Sequence, residues 1–129
     1  MSLVPKELRY TRAHQWARID QDGHVTVGIT DYAQEALGDV VFVDLPVKGK
    51  VVQKDKAMFV VESVKAASDV FAPVSGTISD INDALQVSPE TLNSSPYEAW
   101  IVRIQPDHPE EFEQLLGADD YIQETSDTL

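Results

Sequence analysis

The 129 residues carry 22 acidic against 10 basic side chains, a formal net charge of −12, with 43% hydrophobic residues and no cysteine. That length suits one domain over 1–129, with a core over about 8–105 and a helical segment over about 107–125. The balance excludes nucleic-acid binding, which needs Lys/Arg clusters, and the missing cysteines exclude disulfides, thiolate nucleophiles and Cys-ligated metals.

No apolar run is long enough to cross a bilayer, so no membrane partner is expected. The start, Met1 to Lys6, lacks the apolar stretch of a secretory signal, and a cytoplasmic location is the expectation. "HQWARID" (His14 to Asp20) and "HVTVGIT" (His24 to Thr30) alternate apolar and polar residues, predicting two strands. Gln21-Asp22-Gly23 between them reads as a hairpin turn. "DQDG" does not have the glycine at the sixth loop position or the glutamate at the twelfth that a calcium loop of the EF-hand type requires.

Thr30 or Asp31 caps a short helix over "YAQEAL", which Gly38 ends. "DVVFVDLPV" (Asp39 to Val47) predicts a buried strand, stopped by Pro46 and Gly49. "KVVQ" and "AMFVVESV" follow as strands around the charged turn Lys54-Asp55-Lys56. "DVFAPVSGTISDIN" predicts a strand, a Pro/Gly turn and another strand, "NSSPY" a loop, and "AWIVRI" (Ala99 to Ile104) the last strand. After Pro106, "HPEEFEQLLG" and "ADDYIQE" predict acidic helices, with Phe112, Leu115 and Leu116 facing the core. Many short strands with frequent turns favour a β sandwich or barrel.

Nothing in this pattern assembles a catalytic site. His14, His24 and His108 lack metal-ligand spacing, so no metal is expected. No phosphate loop, nucleophile elbow or zinc-protease motif occurs. Glu110-Glu111 and Asp119-Asp120 lie on polar helices and read as solvated surface. The chain is not expected to be an enzyme by itself.

Lys65 stands apart. It sits between Val64 and Ala66 in a stretch of small and β-branched residues, "VVESVKAASDVFAPVSG" (Val60 to Gly76). The chain must reverse there, and a reversal of small residues thrusts the lysine into solvent. An ordinary solvated turn lysine and one that another protein reaches and modifies both fit that pattern.

"GDVVFVDLP" (Gly38 to Pro46), "ESVKAASDVFAPVSG" (Glu62 to Gly76) and "NDAL…SPETLNSSPY" (Asn82 to Tyr97) resemble the H protein of the glycine cleavage system. "YTRAHQW" (Tyr10 to Trp16) and "VGITDYAQEALGD" (Val27 to Asp39) extend the resemblance over nearly the whole chain. It implies a mainly β barrel-sandwich hybrid of the lipoyl/biotinyl carrier type, with short flanking helices and a helical C-terminus. It also implies lipoic acid joined to Lys65 in amide linkage. The function implied is shuttling the aminomethyl group of glycine between a pyridoxal-phosphate glycine decarboxylase and a tetrahydrofolate-dependent aminomethyltransferase. Dihydrolipoamide dehydrogenase then reoxidises the carrier, and a lipoate ligase or octanoyl transferase installs the arm. A related alternative is a donor of lipoyl or octanoyl groups to other enzymes.

By the same resemblance, Glu62, Asp69, His14 and Gln15 are candidates for an arm-binding cleft or for ligase recognition. Asp55-Lys56-Ala57 is similar to the Asp-Lys-Ala of lipoyl domains in 2-oxoacid dehydrogenases, but it lies upstream of "ESVKA". Biotin carriers usually flank their lysine with Met, whereas Lys65 has Val64 and Ala66. The sequence departs from the family in three places. Gln15 stands where a glutamate is usual, Ala36 where some members have histidine, and the loop "SPYEAW" is one residue short.

Overall fold

The computed structural model describes the backbone of residues 3–128 and the side chains of residues 3–125. Met1 and Ser2, the start of the segment without a secretory stretch, lie outside the described residues, as does Leu129. The strands are β1 (Arg9–Tyr10), β2 (Gln15–Ile19), β3 (Val25–Ile29), β4 (Val40–Asp44), β5 (Val51–Val52), β6 (Ala57–Ser63), β7 (Ala67–Phe71), β8 (Gly76–Ile81) and β9 (Val102–Pro106). The helices are α1 (Asp31–Leu37), α2 (Ala84–Val87), α3 (Thr91–Ser94), α4 (Glu110–Glu113) and α5 (Ala118–Thr128).

Two antiparallel sheets form, one ordered β1-β2-β3-β9-β8-β5 and the other β4-β6-β7. Val27, Ile78 and Ile104 from the first and Val43 and Val61 from the second are buried in one core. Removing a β-branched or aliphatic side chain of this kind from water contributes about 1.5–3 kcal/mol. This mainly β architecture with short helices is of the barrel-sandwich type.

The β2–β3 hairpin closes as its alternation predicts, with Ile19 opposite Val25. Its turn acids are engaged by a guanidinium rather than a cation site. Arg103 Nη2 donates to both oxygens of Asp22, at 2.9 and 2.8 Å, and to Asp20 at 3.2 Å. Those hydrogen bonds hold the Asp22 carboxyl below its ordinary range. Trp16 lies opposite Gly28, where a Cβ would come within 2.5 Å of the indole, so only glycine admits the ring. The indole nitrogen donates to the Pro96 carbonyl at 2.9 Å.

Four features differ from the sequence expectation. The segment from Asp39 to Val47 is not a buried strand throughout. Its register shifts between Val40 and Phe42, and this bulge leaves Val41 52% and Phe42 42% exposed. The last strand starts at Val102 rather than Ala99, because the Trp100 carbonyl accepts from the Asn82 side chain at 2.7 Å instead of joining a ladder. Helices α2 and α3 occupy the stretch before it, seating Leu85 and Leu92 in the core, and α3 takes Asn93 and Ser94 out of the expected loop. Helix α4 is a single turn, because Leu116 leaves it to exchange backbone hydrogen bonds with Tyr10 at 2.8 and 2.9 Å.

That exchange brings the C-terminal segment onto β1. Leu8, Tyr10, Trp16, Ala118 and Tyr121 form a second buried cluster, with Tyr10 and Tyr121 stacked at 4.7 Å between ring centres.

Candidate functional site

β6 and β7 pair down to Glu62 opposite Ala67, leaving Ser63–Ala66 as the reversal that carries Lys65. Ser63 organises this turn twice over. Its backbone N–H donates to the Ala66 carbonyl at 2.7 Å. Its hydroxyl oxygen accepts from the N–H groups of Ala66 at 3.2 Å and Lys65 at 3.4 Å, and its hydrogen is directed at the Ala66 carbonyl, also 3.2 Å away. Local side-chain bonds of this type are why serine suits tight reversals. The Val64 N–H donates to the Asp39 carbonyl at 3.0 Å, tying the turn to the entry of β4.

Lys65 is exposed, and its ammonium makes no ion pair with any described residue. Its stem lies over Gly38, where a Cβ would come 3.3 Å from Lys65 Cε. Gly38 ends α1 at φ +79°, a backbone conformation that glycine adopts without penalty, and its N–H closes the helix on the Gln34 carbonyl at 3.0 Å.

Beside the turn runs a groove of about 320 Å³ between β7, α1 and the Ala13–Gln15 segment. Five of its wall residues are alanines, at positions 13, 33, 36, 66 and 67, joined by Ile29, Leu37, Val61 and Val70. Its polar lining is His14, Gln15, Ser68 and Asp69. Three of the four residues expected near the lysine therefore meet at one groove. Glu62 does not. It is exposed and pairs with Phe42 and Ala67, on the sheet face opposite Val61. Asp69, opposite Val60, shares that outer face, so Asp69 stands at the groove rim while Ser68, opposite Val61, is on the inner side.

His14 adopts φ +67°, which turns its ring toward α1 and α5. Its Nδ1 is 2.7 Å from the Tyr121 hydroxyl, which is 2.9 Å from the Thr30 hydroxyl, and its ring packs on Tyr32 at 4.4 Å. Thr30 Oγ1 accepts from the Ala33 N–H at 3.2 Å as the cap of α1. Half-burial pushes the His14 pKa down. A neutral ring fits the chain in which Thr30 donates to Tyr121 and Tyr121 donates to Nδ1, leaving the proton on Nε2.

Gln15 is 2% exposed, and its amide is engaged locally. Its carbonyl oxygen accepts from the Thr11 hydroxyl at 2.8 Å and its NH₂ donates to the Ala13 carbonyl at 2.9 Å. It acts as a wall, separating this groove from a second one of about 390 Å³ on its other side, which Arg12, Lys54 and Phe71 help to line. Sequence reasoning placed Gly38 as the stop of α1 but not under the Lys65 stem, and it missed Ser63 and Tyr121. Ser63 was legible as a turn former two residues before the lysine, whereas nothing in "ADDYIQE" marks Tyr121 as the residue that reaches His14.

The family model for the glycine cleavage H-protein matches residues 8–128. The glycine cleavage system H protein of Psychrobacter sp. (strain PRwf-1) is 56% identical over 122 residues, covering 94% of this chain and 97% of the relative. The glycine cleavage system H protein 2 of Pseudomonas aeruginosa is 51% identical over 121 residues, covering 94% of each. The crystal structure of a glycine cleavage system H protein from Mycobacterium marinum superposes with a TM-score of 0.87 at 40% identity, covering 95% of this chain and 99% of that one. Sequence and fold agree over nearly the whole chain, which belongs to the glycine cleavage H-protein family.

Proposed function

We propose that the protein is a lipoyl carrier of the glycine cleavage system and that Lys65 is the attachment site, joined to lipoic acid by an amide bond. The observation that carries this reading is the setting of Lys65. An unpaired amine stands on an exposed two-strand reversal, flanked by small residues, beside a groove walled by five alanines. When bound, the lipoyl group supplies a disulfide/dithiol couple able to take up and release the aminomethyl unit of glycine, chemistry that a chain without cysteine does not have.

The chain's own part is presentation and shelter. Ser63 fixes the turn so that Lys65 projects from it, and Ala66 and Ala67 leave its approach uncrowded. Amide formation removes the ammonium charge. The small and apolar walls fit a slim aliphatic arm, and Gln15 and neutral His14 place no cation in the groove. Tethering raises the effective concentration of the group at each enzyme in turn. Those enzymes are the glycine decarboxylase, the aminomethyltransferase and dihydrolipoamide dehydrogenase, with a lipoate ligase or octanoyl transferase installing the arm in the cytoplasm. The protein itself catalyses no step.

Peptide mass spectrometry after treatment with lipoate ligase tests the assignment. One lipoyl mass increment is expected, on Lys65, and none in Lys65→Arg. An increment on Lys56, or one that persists in Lys65→Arg, overturns it.

A further inference from the structure

The groove on the far side of Gln15 has no part in carrying the arm, and its lining is chemically specific. Its volume of about 390 Å³ falls among small-molecule sites, which span about 300–1,000 Å³. Phe71, Leu115 and Leu116 supply apolar wall. Lys54 and Asp55, consecutive in the charged turn before β6, line it together, and Gln114 meets them from the segment after α4.

The polar groups of this lining have bonding capacity left over. Lys54 makes no ion pair with any described residue, and its ammonium has one long contact, 3.4 Å, to Gln114 Oε1. The Gln114 NH₂ and the Asp55 carboxylate have no partner among the described residues. Arg12, the other cation of the groove, is already neutralised, with Nε 2.7 Å from Glu124 Oε2 and Nη2 3.0 Å from Oε1. The free charges are therefore one cation and one anion, side by side. Their backbone is fixed, because the Lys54 N–H donates to Ser75 Oγ and the Asp55 N–H to the Ala72 carbonyl. Asp55 sits at φ +68°, and among the described residues only His14 shares this left-handed backbone without being glycine. Each lines one of the two grooves, and such conformations cluster at ligand sites.

The charge pattern decides what fits. A phosphate or dicarboxylate meets Asp55 and a net charge of −12. A fatty acid leaves Asp55 beside a like charge, and an aliphatic amine does the same to Lys54. A small zwitterion satisfies both residues at once, and the Gln114 NH₂ gives its carboxylate a second donor. An apolar substituent on that zwitterion then has Phe71, Leu115 and Leu116 to cover it.

We propose that this second groove binds a free α-amino acid with an apolar side chain, its carboxylate on Lys54 and Gln114, its ammonium on Asp55 and its side chain on Phe71 and Leu116. The site stands apart from the arm and does not depend on the carrier reading of Lys65. It does back onto the arm groove. Thr11 lines the second groove, and its hydroxyl donates to Gln15 Oε1 at 2.8 Å. An occupant therefore packs against the Ala13 and Gln15 wall that both grooves share.

The test is a backbone-amide chemical-shift titration of the full-length, unmodified protein with L-leucine. Isoamylamine, isocaproate and glycine run alongside, lacking in turn the carboxylate, the ammonium and the apolar side chain. Leucine should give saturable shifts at Arg12, Lys54, Asp55 and Phe71. Each comparator should bind about fivefold or more weakly, on the scale of one exposed charge contact or a few buried methylenes. Lys54→Gln and Asp55→Asn should each weaken leucine by a similar factor, asparagine being chosen because it tolerates a left-handed backbone. Lys48→Gln, outside the groove, should leave it unchanged. No saturable shift with leucine overturns the proposal. Equal binding by all four probes also overturns it, marking an adventitious additive only. So does leucine binding that neither Lys54→Gln nor Asp55→Asn weakens. Shifts that saturate at Ala66, Ala67 and Ser68 instead place the ligand in the arm groove and overturn it too. None of these results touches the assignment of Lys65, which the ligase reaction tests separately.

Discussion

Two lysine-bearing turns flank β6, and they are held in opposite ways. At the upstream turn, Lys54 N–H donates to Ser75 Oγ at 2.9 Å, Asp55 N–H to the Ala72 carbonyl at 2.8 Å, and Ala72 N–H to the Lys56 carbonyl at 2.9 Å. Ser75 is itself tied to Glu111 of α4 at 2.9 Å. The turn is stitched flat against the Ala72–Ser75 segment. The Ser63–Ala66 turn closes on itself and has, beyond the strands it joins, only the bond from Val64 to Asp39 among the described backbone contacts. Lys56 and Lys65 are both exposed. Under the proposed assignment, exposure alone does not select Lys65 over Lys56. An enzyme must enclose the side chain, and only a turn free to protrude allows that.

Exchanging the lysines breaks or sharpens this contrast most strongly. Lys65→Arg should abolish ligase-dependent modification completely, and Lys56→Arg should leave it at wild-type rate, both read by intact mass against time. Equal slowing by the two substitutions would erase the difference between the turns.

Next in size is Gly38→Ala. The new Cβ meets both a backbone at φ +79° and ψ −158° and the stem of Lys65. Holding a non-glycine residue there costs about 1–3 kcal/mol. Thermal melting should fall by several degrees. An unchanged midpoint would mean that α1 ends in another way.

Ser63→Ala is smaller, because a turn hydroxyl contributes about 0.5–1.5 kcal/mol and the two strands remain paired. The expected signature is a split. Ligase kcat/KM should drop a few-fold while the melting temperature moves less than in Gly38→Ala. Loss of stability without loss of modification rate would make the serine merely structural.

The smallest effect is a pH dependence. His14 has its folded pKa below the ordinary value of 6.5, so the unfolded chain binds more protons as pH falls through that value. Stability should decline on the acid side of about 6.5, the native ring being favoured neutral. Urea midpoints at about pH 7 and pH 5.5 should converge in His14→Asn, which tolerates the left-handed backbone and lacks the titrating ring. A wild-type midpoint that does not change over this range would contradict the neutral, hydrogen-bonded histidine.

Much of this architecture was legible in the sequence because its cues are local. The alternation of "HQWARID" and "HVTVGIT", the Thr30 cap and the Gly38 stop each depend on neighbours within a few residues. The buried reading of "DVVFVDLPV" failed because a bulge leaves no mark in an apolar run, and one extra residue reverses which side chains face water. The lysine turn was legible as an uncrowded reversal, and the family resemblance directed attention to His14, Gln15 and Asp69. Composition could not reveal that Gln15 directs its amide into its own turn, nor that Glu62 and Asp69 share a face with Phe42. The first depends on a side-chain rotamer within one turn and the second on the register of three strands, neither of which composition records.

The stacking of Tyr121 on Tyr10 has a consequence for local unfolding. Helix α5 is held by a small cluster at the margin of the main core, and its His14 contact spans 107 residues of chain. Elements with little buried contact open before the rest of a domain. When α5 lifts away, the Tyr121 hydroxyl leaves both His14 and Thr30, so the ring that lines the groove and the cap of α1 lose a partner together. Amide exchange in the Ala13–Gln15 turn and the first turn of α1 should then follow the opening of a helix that contributes no lining residue to the groove, making the C-terminal segment a remote governor of the groove beside Lys65.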